Sequence, residues 1–213
     1  MLTIDTARSW YTDTDPVHGF DHVLRVYRLA EKIAQAEGAD LEIVRAAALL
    51  HDAEGSATLG GDEGRLEHHH ASAAFARKIL EAEGWEEGRI KEVEHCIRAH
   101  RFRDESEQPQ TLEAKVLYDS DKLDVIGAVG VARTIAFDVV VGQPIFSDPS
   151  EQFLTSGVKE PGEIHSSYHE YLFKLKKIKD RLHTPTAQAL GQGRHRFLEE
   201  FFERLPLEIR GEI

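Results

Sequence analysis

Residues 41–54, LEIVRAAALLHDAE, predict a helix that is apolar on most of its sides and ends in the adjacent pair His51-Asp52. Asp40 precedes this stretch and belongs to the residue types that cap helix N-termini. A helix that is hydrophobic around most of its circumference belongs in the interior of a domain. We therefore predict that this helix is central to the fold and delivers a histidine and an aspartate to a buried position.

The chain on either side of this stretch also has helical periodicity, so the fold class is all-α. The glycine-rich residues 55–64 predict a loop, and residues 142–162, with three of the seven prolines, predict a long irregular excursion. Only residues 139–141 and the nearby GQPI favour extended structure. No internal repeat or domain boundary is evident, which predicts one domain over residues 1–213. The remaining helices are expected at 20–38, 68–83, 86–101, 112–126, after Gly127, at 162–182 up to a break at Pro185, and from Arg194 to Leu205.

The composition is that of an ordinary globular protein, with 213 residues, 41% of them apolar and 30% charged. Its one cysteine, Cys96, excludes an internal disulfide and a thiolate-rich zinc site. No apolar run approaches the ~18–20 residues that cross a bilayer. The N-terminal residues lack the basic and apolar regions of a secretion signal. We expect a cytoplasmic protein without a membrane partner.

The charge balance limits the partners. The chain has 38 acidic and 26 basic side chains, for a formal net charge of −12 at pH 7. Such a surface repels a polyanion, so we expect no bulk nucleic-acid binding. A local basic pocket can still bind a small anion, because salt screens distant charges. The oligomeric state is left open, with a homodimer as one candidate.

Two more polar residues fall on apolar helix faces. His22 shares a stripe with the core positions of its helix, and Asp121 lies four residues after Leu117. A buried carboxylate without a partner is costly, so Asp121 needs a cation. A divalent metal would satisfy His22, His51, Asp52 and Asp121 together, since imidazole and carboxylate suit such ions. An ion pair of Asp121 with an arginine or a protonated histidine is the alternative.

The order His22, His51-Asp52 and Asp121 resembles that of the HD-domain metal-dependent phosphohydrolases, an all-helical superfamily named after the adjacent pair. Four flanking stretches resemble a bacterial subfamily of small HD hydrolases: DPVHGFDHVLRVYRLAEKIA, AAALLHDAEG, VLYDSDKLDVIGAVGVAR and KLKKIKDRLHTPTAQALGQGRHRFLEEFFERL. The resemblance covers most of the chain and is weakest over residues 142–162.

This resemblance implies a single compact HD-type domain that hydrolyses a phosphate ester or anhydride. It implies a divalent cation (Mn, Mg, Fe, Co, Ni or Zn, with one ion favoured) held by His22, His51, Asp52 and Asp121. The expected substrate is a small phosphorylated molecule, with nucleotides as the favoured class. The expected activity is that of a nucleoside triphosphate pyrophosphohydrolase or a nucleotidase.

Hydrolysis needs a group that places or deprotonates the attacking water. Asp52 and Glu54 are the candidates for this role.

His68 and His100 have two possible roles. His68 resembles the family's H-x-x-x-[GS]-A helix start, and His100 shares a face with apolar residues. Both could therefore bind a second metal or contact the substrate phosphate. We favour phosphate contact. The full set of candidate substrate-binding residues is Arg25, His68, His100, Lys122 and Arg194. The histidines expected to face solvent are His69, His70 and His95.

Two alternative functions are kept. Glu67 with His70, and Glu92 with His95, form Glu-x-x-His pairs of the kind found in di-iron bundles. Nothing in the sequence marks the lone glutamates that a di-iron oxygenase also requires. The second alternative is an HD domain that senses a ligand without turnover, which has no evident need for the complete set of four metal-ligating residues.

Overall fold

A computed structural model describes residues 2–11, 19–54, 68–101 and 107–213. All regular secondary structure in these ranges is helical, which confirms the all-α prediction. The α-helices in chain order are α1 (Ile4–Arg8), α2 (Phe20–Glu37), α3 (Leu41–Leu50), α4 (His68–Ala82), α5 (Glu87–Ala99), α6 (Leu112–Asp124), α7 (Gly127–Val140), α8 (Glu151–Ser156), α9 (Ser167–Phe173) and α10 (Pro185–Ile209), with a 3-10 helix at Leu175–Arg181 before α10.

The described chain divides into two compact units. The first comprises Met1–Asp124 with His183–Ala187, and the second comprises Val125–Leu182 with Gln188–Ile213. Helices α1 to α6 belong to the first unit and α7 to α9 to the second, while α10 begins in the first and continues in the second. The prediction of one domain over the whole chain stays a prediction.

Helix α3 is the centre of the first unit, as its sequence predicts. Asp40 accepts hydrogen bonds from the backbone N–H groups of Glu42 and Ile43 and so caps the helix. Almost every side chain from Ile43 to Leu50 is buried. The helix packs against α2, α4, α5 and α6. The preceding helix stops at Gly38, whose φ of 78° is the left-handed conformation that favours glycine.

Five sequence predictions need correction or fall outside the described residues. Helix α3 ends at Leu50, and residues 51–54 form a turn. Residues 139–140 are helical because they continue α7, and the excursion 142–162 contains the short helix α8. Pro185 begins α10 instead of breaking it, since a proline at the first helical position lacks only an N–H that has no intrahelical acceptor. The predicted loop at 55–64 lies outside the described residues.

None of the described helices combines the length and the apolar character that a membrane span requires.

Candidate metal centre

Four polar side chains converge where α3 ends, and three elements supply them. His22 comes from α2, His51 and Asp52 from the turn after α3, and Asp121 from α6. His22 Nε2 lies 3.4 Å from His51 Nε2, 3.7 Å from Asp52 Oδ2 and 3.4 Å from Asp121 Oδ1. The structure thus brings together all four residues that the sequence singles out as metal ligands.

The hydrogen bonds of the two imidazoles fix where their protons lie. His51 Nδ1 donates to the Ala48 carbonyl oxygen at 2.8 Å, and His22 Nδ1 donates to Asp124 Oδ2 at 2.8 Å. Both partners are acceptors, so in the neutral rings Nδ1 carries the proton and Nε2 carries a lone pair. The two Nε2 lone pairs therefore face each other at 3.4 Å. A cation bound by both nitrogens removes this repulsion, and such outer hydrogen bonds are typical of metal-binding histidines.

A second group of histidines surrounds the other oxygen of Asp52. His68 Nε2 lies 3.4 Å and His100 Nε2 lies 3.6 Å from Asp52 Oδ1. This oxygen is buried and has no hydrogen-bond partner among the described residues. His100 Nδ1 donates to the Ile97 carbonyl oxygen, so its Nε2 lone pair points at the carboxylate. Burial lowers the pKa of His100 to about 3, although the charge of Asp52 acts in the opposite direction. Because this pKa is so low, the ring is neutral at pH 7.

The two groups share one carboxylate. His22, His51 and Asp52 form one set, and Asp52, His68 and His100 form the other; in each set the ligand atoms lie within 4.8 Å of one another. The residues present therefore fit a divalent cation, because imidazole nitrogens and carboxylate oxygens are the ligands that such ions take.

The aspartates of the site are ionised. Burial raises the pKa of Asp52, but His51, His68 and His100 outweigh this and hold it well below its usual value. Burial likewise raises the pKa of Asp121, and Lys122 and His22 reverse the effect, so that this pKa also lies well below its usual value. Both side chains are carboxylates at neutral pH and offer oxygen ligands.

Asp124 is the residue of this site that the sequence analysis missed. It holds His22 Nδ1, and Arg25 holds Asp124 in turn through Nε at 2.8 Å and Nη2 at 3.0 Å. The i, i+3 spacing from Asp121 places Asp124 on the same face of α6, and this is the signal that could have found it. Arg25 is predicted to contact the substrate phosphate or the carboxylate of a metal-ligating residue. In the structure it binds Asp124, the carboxylate that orients His22.

The other candidate residues lie in different settings. Lys122 Nζ is 2.6 Å from Asp121 Oδ2 and 5.2 Å from the centroid of the Tyr118 ring. Glu54 is exposed, at the end of the turn that carries Asp52. Arg194 belongs to the second unit and lies close to Gly127. A β-carbon on Gly127 would lie only 3.0 Å from Arg194 Cβ.

The prediction that three further histidines face solvent is wrong for His69, which is 2% exposed. The buried positions of α4 are His69, Ser72, Ala73, Ala76 and Leu80, a helical stripe that includes His69. His70 is exposed, as predicted. His95 is partly buried, with Nδ1 2.7 Å from Glu107 Oε1 and Nε2 accepting from the backbone N–H of Gln110.

Those contacts also bear on the di-iron hypothesis. Glu92 is exposed, and His95 is already held by Glu107 and Gln110. Glu67 lies outside the described residues. Neither Glu-x-x-His pair therefore forms a described metal-binding set.

Fold and site together define the class of protein. The HD domain family model matches residues 19–126, a range that includes His22, His51, Asp52 and Asp121. The chain belongs to the HD-domain family, and the resemblance seen in the sequence is confirmed.

The relatives agree with this assignment. The protein YpgQ of Bacillus subtilis strain 168 is 34% identical over 214 residues, covering 97% of this chain and 94% of YpgQ. The crystal structure of YpgQ in complex with ADP superposes with a TM-score of 0.74 at 31% identity, over 98% of this chain and 99% of that one. A Bacillus thuringiensis protein described as an HD-superfamily hydrolase has a TM-score of 0.69 at 27% identity, over 97% and 96% of the two chains.

Proposed function

We propose that this protein is a divalent-metal-dependent phosphohydrolase that acts on a nucleotide. The observation that carries the proposal is the convergence of His22, His51, Asp52 and Asp121 with their acceptor atoms facing one another. The crystal structure of YpgQ with ADP supports a nucleotide as the ligand class. Pyrophosphohydrolysis of a nucleoside triphosphate and nucleotidase activity are the two expected reactions. A cytoplasmic location and a homodimer stay predictions.

The donor set favours a transition metal. Imidazole nitrogens together with carboxylate oxygens suit manganese, iron, cobalt, nickel or zinc, whereas magnesium prefers oxygen ligands. When bound, such a cation polarises a phosphoryl oxygen and lowers the pKa of a water molecule.

The number of ions follows from what His100 can do. The sequence predicts one ion, with His68 and His100 left to bind substrate phosphate. In neutral His100 the Nδ1 proton is used by the Ile97 carbonyl, so its Nε2 cannot donate to a phosphate oxygen. The same lone pair can ligate a cation, and this favours a second ion over the one-ion prediction. Metal stoichiometry in the parent protein and in His68→Ala and His100→Ala decides the question: a drop from two equivalents to one in each variant supports the second ion.

The remaining residues of the site supply charge and proton transfer. Asp52 is a carboxylate and belongs to both candidate ligand sets, so it stays a candidate for placing the attacking water. Lys122 brings a positive charge to the edge of the site beside Asp121, where it attracts a polyphosphate chain. Glu54 is exposed and stays a candidate base.

A substrate panel tests the proposal. Nucleoside mono-, di- and triphosphates and simple phosphomonoesters are incubated with manganese, magnesium, cobalt and nickel. Release of pyrophosphate supports the pyrophosphohydrolase, and release of orthophosphate supports the nucleotidase. The proposal is overturned if no phosphate ester is cleaved with any metal; oxygen consumption with ferrous iron would then establish the di-iron oxygenase instead.

A further inference from the structure

The turn that carries His51 and Asp52 is held in part by groups from outside it. Helix α3 ends at Leu50, so its last carbonyl groups need donors other than helical N–H groups. The Ala48 carbonyl accepts from His51 Nδ1 at 2.8 Å, and the Leu50 carbonyl accepts from the Ala53 N–H at 3.3 Å. The carbonyl between them, that of Leu49, accepts from the Tyr11 hydroxyl at 2.9 Å.

Tyr11 touches two of the ligand-bearing elements of the first unit. Its ring is 7% exposed and packs against Phe20 with centroids 5.5 Å apart. Phe20 is the first residue of α2 and lies two positions before His22. Tyr11 therefore links the start of α2 to the end of α3. The apolar cluster around it consists of Ala7, Phe20, Val23, Leu49 and Ala53.

The Tyr11 hydroxyl stays protonated and so remains a donor. Burial raises its pKa well above the usual value, and the charge of Asp52 raises it further, although the backbone N–H of Asp52 acts in the opposite direction.

Ser72 holds the other end of the turn. Its hydroxyl accepts a hydrogen bond from the backbone N–H of Glu54 at 3.2 Å, and its side chain is fully buried. Ser72 lies on α4 four residues after His68, one helical turn away. The turn 51–54 is thus connected to α4 at its end, and the helix end that precedes it, at Leu49, is connected to Tyr11.

We propose that the Tyr11 and Ser72 hydroxyls are positioning residues that fix the orientation of the turn 51–54 and so aim His51 and Asp52 into the metal centre. The inference rests on the proposed metal-dependent function. Both hydroxyls bond backbone groups, Tyr11 the Leu49 carbonyl and Ser72 the Glu54 N–H, so both would act through the backbone. Small displacements of a site's ligands are costly, because metal binding and catalysis both need the donor atoms in place.

Two single-atom deletions test the proposal, each with a matched control. Tyr11→Phe removes only the hydroxyl and keeps the ring against Phe20. Its control is Tyr27→Phe, because the Tyr27 hydroxyl bonds Glu31 within the same helix. Ser72→Ala has Ser9→Ala as its control, because the Ser9 hydroxyl donates to the nearby Thr6 carbonyl.

The readout is the dissociation constant for Mn²⁺, measured well below the melting temperature, together with kcat and KM. We expect Tyr11→Phe and Ser72→Ala each to weaken Mn²⁺ binding about tenfold, the lower end of the loss for outer-shell partners of a metal site. We expect kcat to fall more than KM changes, and both controls to match the parent.

The outcomes separate this inference from the function on which it rests. If the parent binds no Mn²⁺ and cleaves no phosphate ester, the proposed function fails and this inference fails with it. If the parent binds Mn²⁺ and both test variants bind it equally tightly, only the positioning role is overturned. If Tyr11→Phe does not fold, Ser72→Ala alone decides by the same criterion.

Discussion

Two clusters of histidine and acidic side chains among the described residues differ in how their polar atoms are paired. The metal-centre cluster consists of His22, His51, Asp52 and Asp121. In the second unit, the Glu163 cluster consists of Glu163, Ser166 and His169. His169 Nδ1 lies 2.7 Å from Ser166 Oγ, and its Nε2 lies 3.0 Å from Glu163 Oε1.

In the Glu163 cluster every donor meets an acceptor. Glu163 also accepts hydrogen bonds from the backbone N–H and the hydroxyl of Ser150 and from the backbone N–H of Glu160, each at 2.7 Å. The metal-centre cluster shows the opposite arrangement, because Nε2 lone pairs face one another and face carboxylate oxygens.

Buried histidines and acids therefore do not by themselves mark a metal site. A cluster whose donors and acceptors balance is complete and contributes to the fold. A cluster in which acceptor atoms outnumber donors is suited to bind a cation, here in addition to the Lys122 ammonium that already contacts Asp121. Each substitution below changes a residue in or beside one of the two clusters. Changes at the metal-centre cluster should alter metal binding, and changes at the Glu163 cluster should alter stability.

The largest effect is expected for Asp52→Ala, because Asp52 belongs to both candidate ligand sets. Metal binding and phosphohydrolase activity should fall by more than the about 10- to 100-fold lost when an outer-shell partner is removed. Helical content by circular dichroism should stay close to that of the parent. His70→Ala, which changes an exposed histidine of α4, is the control. Activity within a few-fold of the parent would show that Asp52 is not an essential metal ligand.

Asp124→Asn is expected to have the second-largest effect. The substitution removes the charge that fixes the His22 Nδ1 proton and leaves Arg25 without its carboxylate partner. Mn²⁺ affinity should fall about 10- to 100-fold. Isothermal titration of parent and variant measures it, and an unchanged dissociation constant would show that Asp124 does not orient His22.

His169→Ala should change stability and leave the metal centre alone. The deletion removes the partner of the buried Ser166 hydroxyl and of Glu163, which costs about 1–3 kcal/mol. In a chain of this size that is about 2–4 °C in Tm for each kcal/mol. Thermal unfolding in the presence of chelator measures the loss, and Mn²⁺ titration should match the parent. A weaker Mn²⁺ affinity would show that the Glu163 cluster also contributes to metal binding.

The smallest effect is the pH dependence of Glu163→Gln. Burial raises the pKa of Glu163, but hydrogen bonds from Ser150, Glu160 and His169 outweigh it and lower the pKa from 4.5 to about 2. A pKa that is lower in the folded state contributes stability above the unfolded pKa, and this contribution is lost as pH falls.

The difference in Tm between the parent and Glu163→Gln should therefore be largest above about pH 4.5 and should disappear towards pH 2. Thermal scans of metal-depleted protein across this range measure it. Asp52 and Asp121 titrate in both proteins, so their effect cancels in the difference. A constant difference in Tm across the range would mean that the charge of Glu163 plays no part.

The sequence predicts the parts of the fold that local rules determine. Asp40 caps α3, and Gly38 ends α2, because capping and left-handed glycine are properties of a few neighbouring residues. The end of α3 could not be predicted, because the donor that satisfies the Leu49 carbonyl is Tyr11, which lies 38 positions earlier in the chain.

The candidate site divides in the same way. Helical spacing and the family resemblance bring His22, His51, Asp52 and Asp121 together, and the structure places them side by side. The bond from His22 to Asp124 joins residues 102 positions apart, so the pairing itself is not a local pattern, and the local signal is limited to the i, i+3 spacing of Asp124 from Asp121 on α6. The burial of His69 was within reach, since it lies on the regular stripe of α4.

The most direct test of the central claim is the Mn²⁺ content at equilibrium of three proteins dialysed side by side: the parent, Asp52→Ala and His169→Ala. We expect at least one equivalent in the parent, the same content in His169→Ala, and none above background in Asp52→Ala. Loss of the metal in His169→Ala with retention in Asp52→Ala would contradict the assignment of the metal centre, as would a parent protein that binds no Mn²⁺.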